Sequence, residues 1–109
     1  MLSFQPLANT AALTVGTVSE REPLPFPASL NSWTGDVLVA NTGPQDVFMA
    51  FGDATVVAAI PVPGTPANGI IIIGNSERTF WVKNVTYAAC IAITGQSNNV
   101  YVTAGVNQS

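Results

Sequence analysis

Turn-forming residues punctuate this chain at steps of about ten, and that spacing limits what it can fold into. Turn signals fall at Asn41-Thr42-Gly43-Pro44, Gly52-Asp53, Pro61 to Gly69, Gly74-Asn75, Lys83-Asn84 and Gly95 to Asn99. Between them lie short β-prone runs: Val37-Ala40, Val47-Phe51, Thr55-Ile60, Ile70-Ile73, Thr79-Val82, Tyr87-Thr94 and Val100-Thr103. No window of about 11–18 residues holds apolar positions at i, i+3, i+4 and i+7 without a Gly or Pro interrupting it. The pattern predicts an all-β fold, a single antiparallel β-sandwich or jelly-roll-like barrel, with helix content near zero.

The runs are unusual in a second way. Antiparallel strands with one wet face alternate apolar and polar residues. VLVA, VFMAF, TVVAAI, IIII and AACIAI are instead apolar at successive positions, so both faces read as buried. The charge count agrees. Of 109 residues, three are Lys or Arg and six are Asp or Glu. A monomer of this mass exposes roughly 5,700 Å², far more than nine charges cover densely. These features predict that a further copy or another protein covers part of the surface, with a closed homo-oligomer, a trimer in particular, as the expected state.

The first 32 residues read differently. They hold one strand-like piece, Ala12 to Val18, followed by Glu22 to Pro27, EPLPFP, whose alternate prolines keep the backbone extended and remove donors. Such a run does not sit inside a sheet. The division predicted is an extended N-terminal arm over 1–32 and a β-sandwich domain over 33–109. Leu24 and Phe26 on the arm, with Trp33 at its end, are the candidate partner-binding residues. The alternative is that Ala12 to Val18 forms an integral edge strand of the sandwich.

Composition removes several chemistries. Histidine is absent, which excludes Ser-His-Asp and Cys-His catalysis and histidine-ligated zinc. Cys90 is the single cysteine, so no internal disulfide and no CxxC centre can form. A net charge of −3 with three cations argues against nucleic acid and against anionic membranes. Asp36, Asp46, Asp53 and Glu77 each sit by a turn or strand end, where carboxylates serve backbone geometry, and no D-x-[DN]-x-[DN]-G calcium loop is present. Pro63 to Gly69 lacks the GK[ST] of a phosphate loop. The reading is therefore no enzyme, no cofactor and no metal. Cys90 within AACIAI reads as a small buried hydrophobe.

Three stretches together carry a likeness. VLVANTGPQDVFMAFGDATV, PVPGTPANGIIIIGNSERTFWV and YAACIAITGQSNNVYVTAGV show a strand ending in N-T-G, a V-F-x-A-F-G strand, an E-x-F strand and a terminal V-Y-V-T-x-G. This pattern, over about Val37 to Val106, resembles small β-sandwich structural proteins of tailed bacteriophages, which include capsid decoration, or cement, proteins. The resemblance implies a virion component on the outer surface of the phage head, partnered by the major capsid protein. A second expectation, from a different class, is a carbohydrate-binding or fibre-associated module of a phage head or tail.

Overall fold

The computed structural model describes residues 3–93 and 98–108. Eight strands occur in them and no helix: β1 (Ser3–Val15), β2 (Glu20–Pro23), β3 (Trp33–Asn41), β4 (Val47–Gly52), β5 (Ile70–Ile72), β6 (Ser76–Val85), β7 (Tyr87–Ala92) and β8 (Asn98–Gln108). They form two four-stranded antiparallel sheets, ordered β1-β8-β3-β6 and β2-β7-β4-β5. The pairs β1–β8, β2–β7, β3–β6 and β4–β5 are nested, first with last and inward. A long hairpin wrapped onto itself gives this order, and it is the jelly roll.

Period-two alternation supplies the core. Val37 and Val39 of β3, Val82 of β6, Leu13 and Val15 of β1, and Val100, Val102 and Ala104 of β8 point inward from the first sheet. Val47, Met49, Ile72, Ala88, Cys90 and Ala92 meet them from the second. β-Branched residues dominate, as expected where stiff side chains pack on a pleated surface.

The segment before Trp33 is not a free arm. β1 pairs with β8 from Ser3↔Gln108 to Val15↔Asn98, with a shift between Pro6 and Thr10, and Leu13 and Val15 are buried. Gly105 of β8 is tied to this pairing, because a Cβ there would collide with the Gln5 carbonyl and the Phe4 ring. β2 pairs with β7 along the edge of the second sheet. Leu24 donates its N–H to the Thr86 carbonyl at 2.9 Å. By alternation Glu22 and Glu20 are then the bonded residues, and Pro23 turns its nitrogen to the free side. Proline is tolerated there, so the proline-rich run ends an edge strand instead of lying outside the sheets.

Two further expectations change. Thr55–Ile60 belongs to neither sheet but runs within the long connection 53–69. Lys83-Asn84 is not a turn between strands but lies inside β6, opposite the irregularity between Trp33 and Gly35, with Asn84 at φ 53. Of the turn signal at Gly95 to Asn99, residues 95–97 lie outside the described residues, as does Thr94, the end of the run begun at Tyr87.

Candidate functional site

The register of the second sheet lines up an apolar row on its outer face. Phe48 of β4 stands opposite Ile71 of β5 on one side and Ile91 of β7 on the other. In the next row Ala50 faces Ala89. This second row is covered by the chain itself: Val56 and Ala58 of the connection pack on Ala50 and Ala89, with Tyr87 and Ile91 alongside. The apolar strands therefore look buried on both faces partly because one loop folds over them.

That loop is held by identifiable bonds. Asp53 accepts from the Thr55 N–H at 2.8 Å and from the Thr55 hydroxyl at 2.6 Å, closing the turn that launches it. These bonds hold the Asp53 carboxyl below its ordinary range. The Ala58 N–H donates to Ser19 Oγ at 3.0 Å, and the Asn68 amide donates to the Val57 carbonyl at 3.3 Å. The Arg21 guanidinium lies over the Tyr87 ring at 5.9 Å.

The cover reaches the first row only in part: Ile91 packs against Val56 and Ala58, and Gly69 at the end of the connection lies close to Phe48, so both are half-buried. Between β2 with its preceding turn and residues 56–58 runs a groove of about 640 Å³, lined by Val18, Ser19, Arg21, Val57, Ala58 and Ile91 among others. Val18 is 71% exposed and Val57 57% exposed. Ile71 and Ile73 at the other side of the row, and Ile93 two residues beyond Ile91, are exposed as well. The result is an apolar stripe from exposed Ile71 through half-buried Phe48 and Ile91 to the groove. Glu20 and Arg21 stand in the groove's wall.

The three residues singled out from the sequence lie elsewhere. Leu24 is 2% exposed within the main core, and Phe26 packs against that core. Trp33 is buried, its indole N–H donating to the Asp36 carbonyl at 3.1 Å. Gly35, at φ 153, makes room for it, since a Cβ there would press on the Trp33 ring. All three fill pockets of their own chain. The carboxylates are also dispersed. Asp46 accepts from the Gly74 N–H at 2.9 Å and Asp53 serves its own turn. Among the described residues no group of three or more His, Cys, Asp or Glu is placed to hold a metal ion.

One end of the sandwich holds a buried polar knot. The Asn98 amide donates to Asn41 Oδ1 at 3.0 Å and to the Gln45 carbonyl at 2.7 Å. Asn41 in turn donates to the Gln45 carbonyl at 2.7 Å and to the Ile72 carbonyl at 3.2 Å, and accepts from the Gly43 N–H at 3.2 Å. These bonds tie the β3–β4 turn to β5 and β8. They satisfy backbone groups at a sheet end, which is a structural role.

No family model matches the chain, and no curated protein matches it. Among solved structures it is similar to a chain from the Bacillus endospore appendages, described as a novel family of disulfide-linked pili. The identity is 12%, over 95% of this chain and 91% of that one, with a TM-score of 0.36. A likeness at that level assigns neither function nor partner.

Proposed function

We propose that this protein is a structural component of a tailed-phage virion, a decoration protein that binds the outside of the head across major capsid subunits. The observation that carries the reading is the apolar stripe Ile71–Phe48–Ile91, exposed at Ile71, half-buried at Phe48 and Ile91, and continuous with the groove at exposed Val18 and Val57. Contiguous exposed apolar surface on a small protein marks a docking face. The sequence likeness over Val37 to Val106 supports the choice of partner. The jelly-roll order is one that viral capsid domains share with lectin and other domains, so the fold is compatible with the reading without selecting it.

The mechanism is burial of this stripe against the capsid surface, repeated in every copy, so that modest single-site affinity becomes durable attachment through multiple contacts. With three cations in the chain, ion pairs supply little. The test is cosedimentation of purified protein with undecorated heads assembled from a tailed-phage major capsid protein. Binding is expected, and it persists from low to high sodium chloride because apolar burial is not screened by salt. Ile71→Glu and Val57→Glu, both at exposed positions, are expected to leave the circular dichroism spectrum unchanged and to abolish binding. Wild-type protein that stays in the supernatant, or both variants binding like wild type, refutes the proposal.

A further inference from the structure

Each sheet has two edge strands, and three of the four edges are blocked by a visible device. β1 contains Pro6 and an irregularity between Pro6 and Thr10. β2 turns the nitrogen of Pro23 outward. β5 is only three residues long, and the Arg78 guanidinium caps its Ile71 carbonyl at 3.1 Å. Proline, irregularity, shortness and a covering cation are the ordinary ways to stop an edge from pairing.

The fourth edge, β6, is open along its middle. Thr42 donates to the Asn99 carbonyl at 3.1 Å, which fixes the alternation along β3. Leu38 and Ala40 then bond to β8, while Val37, Val39 and Asn41 bond to Phe80, Arg78 and Ser76 of β6. Glu77, Thr79 and Trp81 are left pointing their backbone N–H and C=O groups away from the sheet, where no described strand pairs with them. No proline interrupts this stretch. All three side chains are exposed, and Trp81 is 64% exposed on an otherwise polar edge.

We propose that this edge pairs with the same edge of a second copy, antiparallel about a two-fold axis centred on Phe80. The charges select that occupant and that register. Centring on Phe80 sets Thr79 opposite the second copy's Trp81 and brings Glu77 to its Lys83, the last residue before the left-handed Asn84 of the β6 irregularity, and symmetry gives each pair twice. Outward-pointing residues meet outward-pointing residues, so backbone bonds form between Thr79 and Trp81 in both directions. Glu77 and Lys83 make no ion pair or side-chain hydrogen bond within the described chain, and each meets an opposite charge on the same face of the joined sheet. Directly opposed unlike charges favour a cross-strand pair, while like charges oppose it. The exposed Trp81 indole gains cover from the second copy's Thr79. The product is a continuous sheet of eight strands, β1-β8-β3-β6 followed by its symmetry mate. It is a two-fold dimer, where the sequence led us to expect a trimer, and it is independent of the head-binding reading.

Sedimentation equilibrium of the purified full chain without capsids tests it. The expected mass is about 23 kDa, twice the 11.3 kDa chain. Glu77→Lys places like charges opposite each other at both ends of the seam and is expected to weaken association about tenfold or more, on the scale of exposed ion-pair effects. It does so although it reduces the net negative charge, so general repulsion predicts the opposite. Lys83→Glu weakens it likewise, and the double variant Glu77→Lys/Lys83→Glu restores the dimer. A monomer across the accessible concentration range overturns the proposal. So does an oligomer of any size that both single variants leave unchanged, or that the double variant fails to restore.

Discussion

Leu24→Ala separates a proline-rich arm from a proline-rich core segment. In the structure Leu24 is 2% exposed, sits in the main cluster, and is fixed by its N–H bond to Thr86. Truncating a buried leucine costs about 2.7–5 kcal/mol, set by how far the site collapses. Leu24 lies next to an edge strand, where some relaxation is available, so about 3 kcal/mol is expected. With a urea m-value of about 1.5 kcal/mol/M, within the usual range for small proteins, the midpoint falls by about 2 M. A residue on a free arm would shift it by only about 0.3 M, as surface substitutions do. Leu30→Ala, at a position 42% exposed, is the internal control and should stay near wild type. A chain beginning at Asn31 loses Leu13, Val15 and Leu24 together, at about 1.5–3 kcal/mol each. That total approaches the whole stability of a domain this size, about 5–15 kcal/mol, so the shortened chain should not fold. A Leu24→Ala midpoint within about 0.3 M of wild type, or a native near-ultraviolet spectrum from the shortened chain, would refute this account.

Burial, aided by the Glu20 charge, pushes the Cys90 thiol up to about 12 from 9.0. Above pH 9 the unfolded chain therefore releases a proton that the folded chain keeps, so stability falls as pH rises, by up to about 1.4 kcal/mol per pH unit. Urea midpoints at pH 8 and pH 10 should show this decline, Cys90→Ala should flatten it, and native protein at pH 8 should resist thiol reagents. Asn98→Asp sets a carboxylate against the Asn41 and Gln45 oxygens that the amide now bonds, and about 3 kcal/mol should be lost at neutral pH. The acceptors raise that carboxyl's pKa in the folded state, so part of the loss should return as pH falls to about 4. A variant whose denaturation midpoint matches wild type at both pH values would show that the knot is not buried as described.

The sandwich itself was legible because turn residues and β-branched runs report local geometry directly. Val37, Val39, Val47, Val100 and Val102 fall in predicted runs and in the core alike. The first two strands were obscured by a rule applied too widely. Proline is excluded from central strands, but an edge strand has one free side, and Pro23 uses it. The informative signal inside EPLPFP was the spacing of Leu24 and Phe26. Residues two apart on an extended chain share a face, and here that face is the core.

The candidate site was hidden for a different reason. An apolar run covered on both faces has the same sequence whether the outer cover is another molecule or a later loop of its own chain. TVVAAI is that loop: Val56 and Ala58 supply the cover over Ala50 and Ala89, and Asp53-Thr55 makes the turn that returns it across the sheet. The cover is tied to the turn before β2 through Ser19 and braced within itself by Asn68, and it leaves Phe48 and Ile91 only half-covered. The stripe is thus the remainder after internal covering, and only the register of β4 against β5 and β7 defines where it begins. A glutamate at Ile71 or Val57 tests that remainder without touching the part the loop protects.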